Sequence, residues 1–215
     1  MNEAFKRVLG RYNIRLAKER QLLAADPSRM RKNPNEFLLG IGEAAGHLLH
    51  TLIVGRGARR ILELGTSYGY STLFFADAAR ETGGTVITVD KFGDKQEHAR
   101  RELTEAGLDG FVEFHTGDLL DILPGLEGPF DFVLIDVWKQ HYVPCLDLVR
   151  PKLTEHAIIA ADNMIRPRIS RAHAEKYRAA VGADGRFQSV LLPIGQGIEL
   201  SCFWPDRSKR ELDET

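Results

Sequence analysis

Three oxygen-bearing side chains stand at the ends of two predicted strands. Asp136 ends an apolar segment that begins at Asp131, and Asp162 and Asn163 end another that begins at His156. Ligands of an open parallel sheet bind at the carboxyl ends of the strands, so we expect these side chains to lie together. Two carboxylates and an amide oxygen suit Mg²⁺ or another divalent cation such as Ca²⁺ or Mn²⁺. The alternative is structural, with one acid capping a helix and the other ordering a loop.

Lys139 follows Asp136 by three residues, so its side chain can point back over the same site. A divalent cation nearby destabilises the charged ammonium and lowers its pKa. A lysine of lowered pKa suits a general base for a hydroxyl that the metal has already acidified. We therefore predict that Lys139 is the catalytic base, against the common alternative of a solvated surface lysine.

A glycine turn between a predicted strand and a helix forms a second candidate site. Glu63 lies at the end of the strand, Gly65 and Gly69 follow, and the helix begins near Ser71. Glycines let the backbone approach a ligand, and the free N–H groups of the helix start face it. The G-x-x-x-G spacing differs from the dinucleotide and phosphate-loop patterns. A carboxylate beside the turn suits an ammonium group, which favours S-adenosylmethionine over a phosphate-anchored nucleotide; a purely structural turn is the alternative.

Two further acids fit a nucleoside. Asp90 ends the predicted strand that begins at Thr85, where an acid accepts hydrogen bonds from ribose hydroxyls. Asp118 follows the next strand and could lie near the adenine amine, or it could simply cap the helix that follows. Dehydrogenases share the ribose acid, so Asp90 indicates a ribose without naming the cofactor.

Composition excludes several classes of protein. The 215 residues carry a formal charge of −1 and a sequence pI of about 6.7, which disfavours nucleic acid as a partner. No apolar run approaches the roughly 20 residues that cross a bilayer. Cys145 and Cys202 lack metal-ligand spacing and do not indicate a disulfide scaffold. We expect a soluble, cytoplasmic protein without a membrane partner, and the sequence leaves a homodimer open.

Strands and helices alternate along most of the chain, which predicts an α/β fold: a doubly wound, mostly parallel sheet with helices on both faces. The predicted strands cover 60–64, 85–90, 111–115, 131–136, 156–162, 187–192 and 198–204, and the last two form an antiparallel hairpin. The predicted helices cover 43–52, 71–80, 94–106 and 141–149, with a short turn at 119–123. We expect one domain over 1–215: added N-terminal helices with a polar connector (1–35), a core (36–205) and a charged mobile tail (206–215).

With these residues placed, the chain resembles the metal-dependent catechol and caffeoyl-CoA O-methyltransferases of class I, over roughly residues 37 to 204. The resemblance rests on the segments 62–71, 136–142 and 161–167, above all the D-x-W-K-x-x-Y block and the Asp-Asn pair. It implies a seven-stranded sheet of order 3-2-1-4-5-7-6. It also implies Asp136, Asp162 and Asn163 as metal ligands and Lys139 as base. The cofactor residues that it implies, with those named above, are Ile41 (through its backbone), Glu63, Gly65, Ser71, Asp90, Asp118 and Asp136.

The catechol branch is the more similar one, because Trp138 and Pro167 fall where that branch grips the aromatic ring. Phe37 matches a further aromatic wall of that pocket. One departure concerns Leu192, which stands where catechol enzymes place a glutamate; Glu199 lies on the last strand and does not align with it. A second is Val137, which replaces a larger residue near the cofactor. Both departures disfavour catecholamines as acceptors.

We therefore predict an O-methyltransferase that uses S-adenosylmethionine and a divalent metal to methylate a small aromatic vicinal diol. The alternatives are a metal-dependent methyltransferase for a non-catechol small molecule, a non-catalytic S-adenosylmethionine-binding protein and, more distantly, a nicotinamide dehydrogenase. Arg166, Arg168 and Arg171 surround Pro167, with Ser170 as an N-cap for the next helix. Guanidinium groups pair with carboxylates, so these arginines suggest acidic catechols; a solvated basic loop is the alternative.

Overall fold

The computed structural model describes residues 1–167 and 171–206 of the chain. Within them, seven strands form one sheet of order β3-β2-β1-β4-β5-β7-β6. The strands are β1 Arg60–Leu64, β2 Thr85–Asp90, β3 Val112–Thr116, β4 Phe130–Ile135, β5 Leu153–Ala161, β6 Phe187–Leu192 and β7 Ile198–Phe203. The first five are parallel, and β7 runs antiparallel to both β5 and β6. The predicted fold class and strand order are confirmed.

Helices cover both faces of the sheet. They are α1 Glu3–Ala25, α2 Ser28–Lys32, α3 Glu43–Arg56, α4 Tyr70–Thr82, α5 Gly93–Ala106, α6 Leu119–Ile122, α7 Tyr142–Val149 and α8 Arg171–Ala183. Successive strand residues face opposite sides, so Phe132 packs with α1, α3, α4 and α5 while Val133 packs with α7 and α8. Because β1, β2, β4 and β5 are parallel, their carboxyl ends lie at the same edge of the sheet, between the two apolar cores. None of the helices in the described ranges is long and apolar enough to span a membrane.

The N-terminal segment differs in detail from the prediction. One continuous helix, α1, forms most of the region of the predicted N-terminal helices, and its Phe5, Val8 and Tyr12 are buried. The segment expected to be a polar connector holds the short α2 and a 3₁₀ turn, Pro34–Glu36. The sequence does not predict these short helical segments, because their few residues lack an apolar repeat at helical spacing.

Strand β5 begins three residues earlier than predicted. Its pairing with β4 shifts between Phe130 and Phe132, and His156 in the irregular stretch has a positive φ of 60°. Glu155 and His156 are exposed there, so the sequence of this stretch lacks the apolar run that marked the rest of the strand. The predicted tail falls on residues 206–215, of which only Asp206 lies within the described part of the chain.

Candidate active site

The predicted metal ligands meet at the carboxyl edge of the sheet. Asp136 directly follows β4, and its backbone N–H donates to Leu64 at the end of β1 (2.9 Å). Asp162 directly follows β5, and its N–H donates to Ile135 at the end of β4 (3.2 Å). Asn163 comes next with a left-handed φ of 59°, a conformation that asparagine tolerates better than most residues. The parallel register therefore places two carboxylates and an amide at neighbouring strand ends.

Lys139 lies among these oxygens. Its Nζ donates to Asn163 Oδ1, to Tyr142 Oη at 2.5 Å and to the Val137 carbonyl at 3.1 Å, and lies 3.5 Å from Asp136 Oδ1. The turn from β4 into α7 brings the lysine back toward the strand end, as its three-residue spacing predicted. In this cluster the Lys139 ammonium contacts two of the three predicted metal ligands, Asp136 and Asn163.

Burial controls the electrostatics of this cluster. Burial and, next, the nearby Asp136 carboxylate raise the pKa of Asp162 to about 8. Burial also raises the pKa of Asp136 above its ordinary value, although the Lys139 ammonium opposes the effect. The pKa of Lys139 is lowered, because burial outweighs the attraction of the two carboxylates. The cluster contains two buried carboxyl groups and one buried ammonium. A further positive charge would therefore favour the ionised form of both carboxyl groups.

The donor chemistry fits a hard divalent cation. Asp162 Oδ1 is buried and has no hydrogen-bond partner among the residues described, and buried carboxylate oxygens without a partner are costly. Nowhere in 1–167 and 171–206 do three or more His, Cys, Asp or Glu side chains gather in a metal-binding arrangement. The oxygens of Asp136, Asp162 and the amide of Asn163 are of the type that such a cation prefers, and their role as metal ligands stays a prediction.

Glu63 forms a second buried acid site at the end of β1. Its side chain has no exposed surface, and Thr72 Oγ1 and Thr88 Oγ1 donate to its Oε2 at 2.6 and 2.5 Å. Its Oε1 has no hydrogen-bond partner in the described structure, and burial raises the pKa of this carboxyl to about 7. Ser71, the predicted neighbour, is also buried at the start of α4. An ammonium donor would satisfy the free oxygen.

Asp90 holds the glycine turn in place. Its Oδ2 accepts from the backbone N–H of Ser67 (2.7 Å) and its Oδ1 from that of Phe92 (2.9 Å). Ser67 lies in the turn with φ 46°, so the acid fixes a left-handed residue between the two glycines. A carboxylate has about four acceptor positions, so hydroxyl groups of a ligand can still bind.

The two glycines of the turn are required by packing inside the protein. A Cβ on Gly65 would lie 2.1 Å from the Asp136 carbonyl oxygen, and one on Gly69 would lie 2.6 Å from the Ala99 Cβ. Both residues have positive φ angles. The missing side chains thus let β1 approach β4 and let the turn approach α5, while the approach of a ligand to Gly65 stays a prediction.

Two other predicted residues have definite structural roles. Asp118 caps α6, and its Oδ1 accepts from the Leu120 N–H at 3.0 Å. The N-cap alternative is therefore confirmed, and the contact with adenine stays a prediction. Ile41 is buried. Three residues before it, the carbonyl of Leu38 accepts from Ser67 Oγ of the glycine turn.

The predicted acceptor residues are only partly brought together. Pro167 lines an open cavity of about 590 Å³ with Ile165, Arg166 and Gln196. Trp138 is 55% exposed, which leaves its ring available to a ligand. Phe37 is buried and lines a separate cavity beneath α1 and α2, so it does not share the cavity of Pro167.

Glu199 and Arg171, two charged residues on the side predicted to bind the acceptor, form ion pairs within the protein. Glu199 is buried, accepting from Arg178 Nε and Ser189 Oγ, each at 2.8 Å, so it does not replace the missing glutamate. Leu192 ends β6 opposite Ile198. Arg171 pairs with Glu175 on the exposed side of α8, whereas Arg166 lines the cavity. Arg168 and Ser170 lie outside the described residues.

Comparisons with known proteins agree with this geometry. Residues 62–164 match the family model of a methyltransferase domain. The chain is 35% identical over 175 residues to a catechol O-methyltransferase from Niastella koreensis, an alignment that covers 73% of this chain and 76% of that enzyme. The chain belongs to the class I S-adenosylmethionine-dependent O-methyltransferases.

Two further comparisons extend the assignment to this family. The chain is 36% identical over 129 residues to the catechol O-methyltransferase of Mycobacterium tuberculosis, which covers 60% of this chain and 58% of that enzyme's length. The crystal structure of cofactor-bound Rv0187 from MTB superposes with a TM-score of 0.72 at 29% identity. That match covers 77% of this chain and 82% of the neighbour. Both the sequence and the fold thus support membership of the O-methyltransferase family.

The sequence predicted no contacts for several residues of this candidate site. Thr72 and Thr88 anchor Glu63, and the Tyr142 hydroxyl accepts from Lys139 and donates to the Asp162 carbonyl (2.9 Å). Thr88 interrupts the apolar residues of β2, and a lone polar residue in a buried strand is a signal for a buried hydrogen bond. The contacts of Tyr142 depend on the turn after β4, which the sequence pattern does not specify.

Proposed function

We propose that this protein transfers the methyl group of S-adenosylmethionine to a hydroxyl of a small aromatic vicinal diol, with a divalent cation at Asp136, Asp162 and Asn163. One observation carries the proposal: the ammonium of Lys139 lies among these oxygens at the same edge of the sheet as Glu63 and Asp90. The relatives named catechol O-methyltransferase support the acceptor class.

The chain's own residues can bind and orient the methyl donor. The free buried oxygen of Glu63 accepts a hydrogen bond from the ammonium of its methionine part, and Asp90 accepts from its ribose hydroxyls. The sulfonium of this donor supplies the methyl group, and the bound cation supplies Lewis acidity that lowers the pKa of an acceptor hydroxyl. Enclosing both reactants at one strand edge provides much of the rate gain through proximity.

Lys139 takes the proton of the acceptor hydroxyl at Nζ. Its lowered pKa makes the neutral amine more accessible than in a solvated lysine. Tyr142 and Asn163 hold the amine in position through their oxygens. The acceptor oxygen then forms its bond to the methyl carbon as the sulfur–carbon bond breaks, and Lys139 carries the proton away.

The test is a methyl-transfer assay over a panel of catechols, with and without EDTA. Turnover should require a divalent cation and return when Mg²⁺ is added back, whereas calorimetric binding of S-adenosylhomocysteine should survive EDTA. Asp162→Asn should lose turnover, and the matched control Asp147→Asn, at an exposed acid of α7, should retain it. Full activity in EDTA, or in Asp162→Asn, would show that these acids are structural only. Binding of NAD in place of S-adenosylhomocysteine would overturn the whole proposal.

Among catechols, we propose that the enzyme prefers those that carry an acidic group over those that carry an amine. Arg166 lines the cavity beside Pro167, and Leu192 offers no carboxylate to an amine-bearing acceptor. The guanidinium can pair with a substrate carboxylate in a bidentate geometry. We expect kcat/KM to favour caffeate over dopamine, and Arg166→Ala to reduce that ratio while the exposed Arg101→Ala does not. Equal values for both substrates, unchanged by Arg166→Ala, would contradict the preference.

A further inference from the structure

The five-residue loop between β6 and β7 is attached to the acceptor side of the site. The carbonyl of Gln196 accepts from the backbone N–H groups of Ile165 (3.0 Å) and Arg166 (2.9 Å). The carbonyl of Gly197 accepts from the N–H of Met164 (2.9 Å). These three bonds hold the segment that follows the predicted metal ligands, so its position depends on the conformation of the loop.

A glycine is required where the loop meets this segment. Gly197 has φ +96°, and a Cβ built on it would lie 2.5 Å from the Ile165 Cγ1 and 2.7 Å from the Ile165 backbone nitrogen. Even the smallest side chain would therefore displace Ile165. Ile165 is 43% exposed and lines the cavity beside Pro167, so its side chain is within reach of a ligand in that cavity.

The same loop meets the cofactor side through a second glycine. Gly195 has φ +61°, and a Cβ on it would lie 2.8 Å from the Ile41 carbonyl oxygen. The segment of Ile41 is in turn attached to the glycine turn, where Ser67 Oγ donates to the Leu38 carbonyl. One loop thus contacts both the segment beside the turn and the segment beside the metal ligands.

We propose that this loop sets the distance between the binding site of the methyl donor and that of the acceptor. Ile165, whose position depends on Gly197, determines the size of the aromatic acceptor that can bind. The inference rests on the proposed function and adds to it the residues that decide specificity. Gly195 acts on the donor side and Gly197 on the acceptor side, so substitutions at the two positions should have separable effects.

The experiment compares three glycine variants of the full chain. Gly197→Ala should raise KM for catechol by about tenfold or more, because small displacements of a seated reactant are costly, while Kd for S-adenosylhomocysteine changes little. Gly195→Ala should raise that Kd by about tenfold, equal to about 1.4 kcal/mol. Gly185→Ala is the matched control, since Gly185 lies in the turn before β6 with nothing within 4 Å of its Cβ position. It should leave both constants unchanged.

A fourth variant tests the proposal even if the glycine variants fail to fold. Ile165→Ala shortens an exposed side chain, so it should fold normally and shift the kcat/KM ratio toward catechols with bulky ring substituents. An unchanged ratio in Ile165→Ala, or equal Kd values in wild type and Gly195→Ala, would overturn this inference while leaving the proposed function intact. A wild type that binds no S-adenosylhomocysteine and methylates no catechol would overturn the proposed function and this inference with it.

Discussion

At the scale of single residues, Lys139 is surrounded by oxygen atoms of four other residues. Its ammonium contacts an amide oxygen, a phenol and a backbone carbonyl, and a carboxylate lies 3.5 Å away. This network holds the amine in one place, and burial lowers its pKa. A surface lysine gains neither effect, so the contacts favour the catalytic role over the solvated one.

Removal of the Lys139 amine should lower the rate of methyl transfer and leave the binding of S-adenosylhomocysteine unchanged. Lys139→Ala should lower kcat by about 10² or more, the usual size of a general-base contribution. In the wild type, kcat should rise with pH through a pKa below the ordinary lysine value, because the neutral amine is the base; the variant should lose that rise. Stopped assays across pH with calorimetric binding of S-adenosylhomocysteine measure both quantities. The exposed Lys176→Ala is the control, and a defect confined to KM would make Lys139 a binding residue instead.

Residue types and strand ends sufficed to predict much of this cluster. Asp136, Asp162 and Asn163 converge because parallel strands end at one edge, and Lys139 reaches them because the turn after β4 is short. Phe37 lines a different cavity from Pro167, and its contact with an acceptor stays a prediction. The position of Phe37 depends on how α1 and α2 pack, which no local spacing encodes.

At the scale of elements, α1 braces the glycine turn. Tyr12 Oη donates to the Tyr68 carbonyl at 2.6 Å, and Tyr70 Oη donates to Asn13 Oδ1 at 2.9 Å. Arg15 lies over the ring of Tyr68, 3.9 Å from its centroid. The helix therefore fixes the backbone that we propose to hold the methyl donor.

Loss of one of these bonds should weaken both stability and donor binding. Tyr12→Phe leaves the partly buried Tyr68 carbonyl without its donor, which should cost about 1–3 kcal/mol of unfolding free energy. Kd for S-adenosylhomocysteine should rise as the turn loosens. Urea denaturation and calorimetry measure the two effects. The control is Arg11→Gln, which removes exposed ion pairs between α1 and α5 and should change stability by less than about 1 kcal/mol; equal behaviour of the two variants would contradict the bracing role.

Periodicity predicted most elements to within a residue or two. Strands β1, β2 and β6 have the predicted bounds, because turns that contain glycine or proline delimit their apolar residues. The start of β5 was missed, since its irregular pairing exposes Glu155 and His156. The extension of α3 to Arg56 was also missed, as the helix ends only at the left-handed Gly57.

At the scale of the whole molecule, two buried acids couple stability to pH. The pKa of Glu63 rises to about 7 and that of Asp162 to about 8. A carboxyl whose pKa is raised on folding binds its proton more tightly in the folded state. Its contribution to stability is therefore present at low pH and lost as pH rises through the folded pKa.

The ligand-free protein should consequently lose stability between about pH 5 and pH 8, the interval that separates the ordinary carboxyl pKa from these raised values. For Glu63 alone the loss should be about 3 kcal/mol. Thermal unfolding across this range, with Glu63→Gln as the comparison, isolates the effect, and the exposed Glu113→Gln is the control. S-adenosylhomocysteine should stabilise more at pH 8 than at pH 6, because its ammonium offsets the buried charge. Identical slopes for wild type and Glu63→Gln would contradict this account.

We propose above that a methyl group passes from S-adenosylmethionine to a catechol oxygen at the Lys139 cluster. The most direct test of this transfer uses S-adenosylmethionine labelled with ¹³C in the methyl group, incubated with the protein, Mg²⁺ and 3,4-dihydroxybenzoate and followed by NMR. We expect one new methoxy carbon resonance, bonded to the acceptor ring, that is absent with EDTA and in Lys139→Ala. A label that stays on sulfur, or that reaches an atom other than a catechol oxygen, would contradict it.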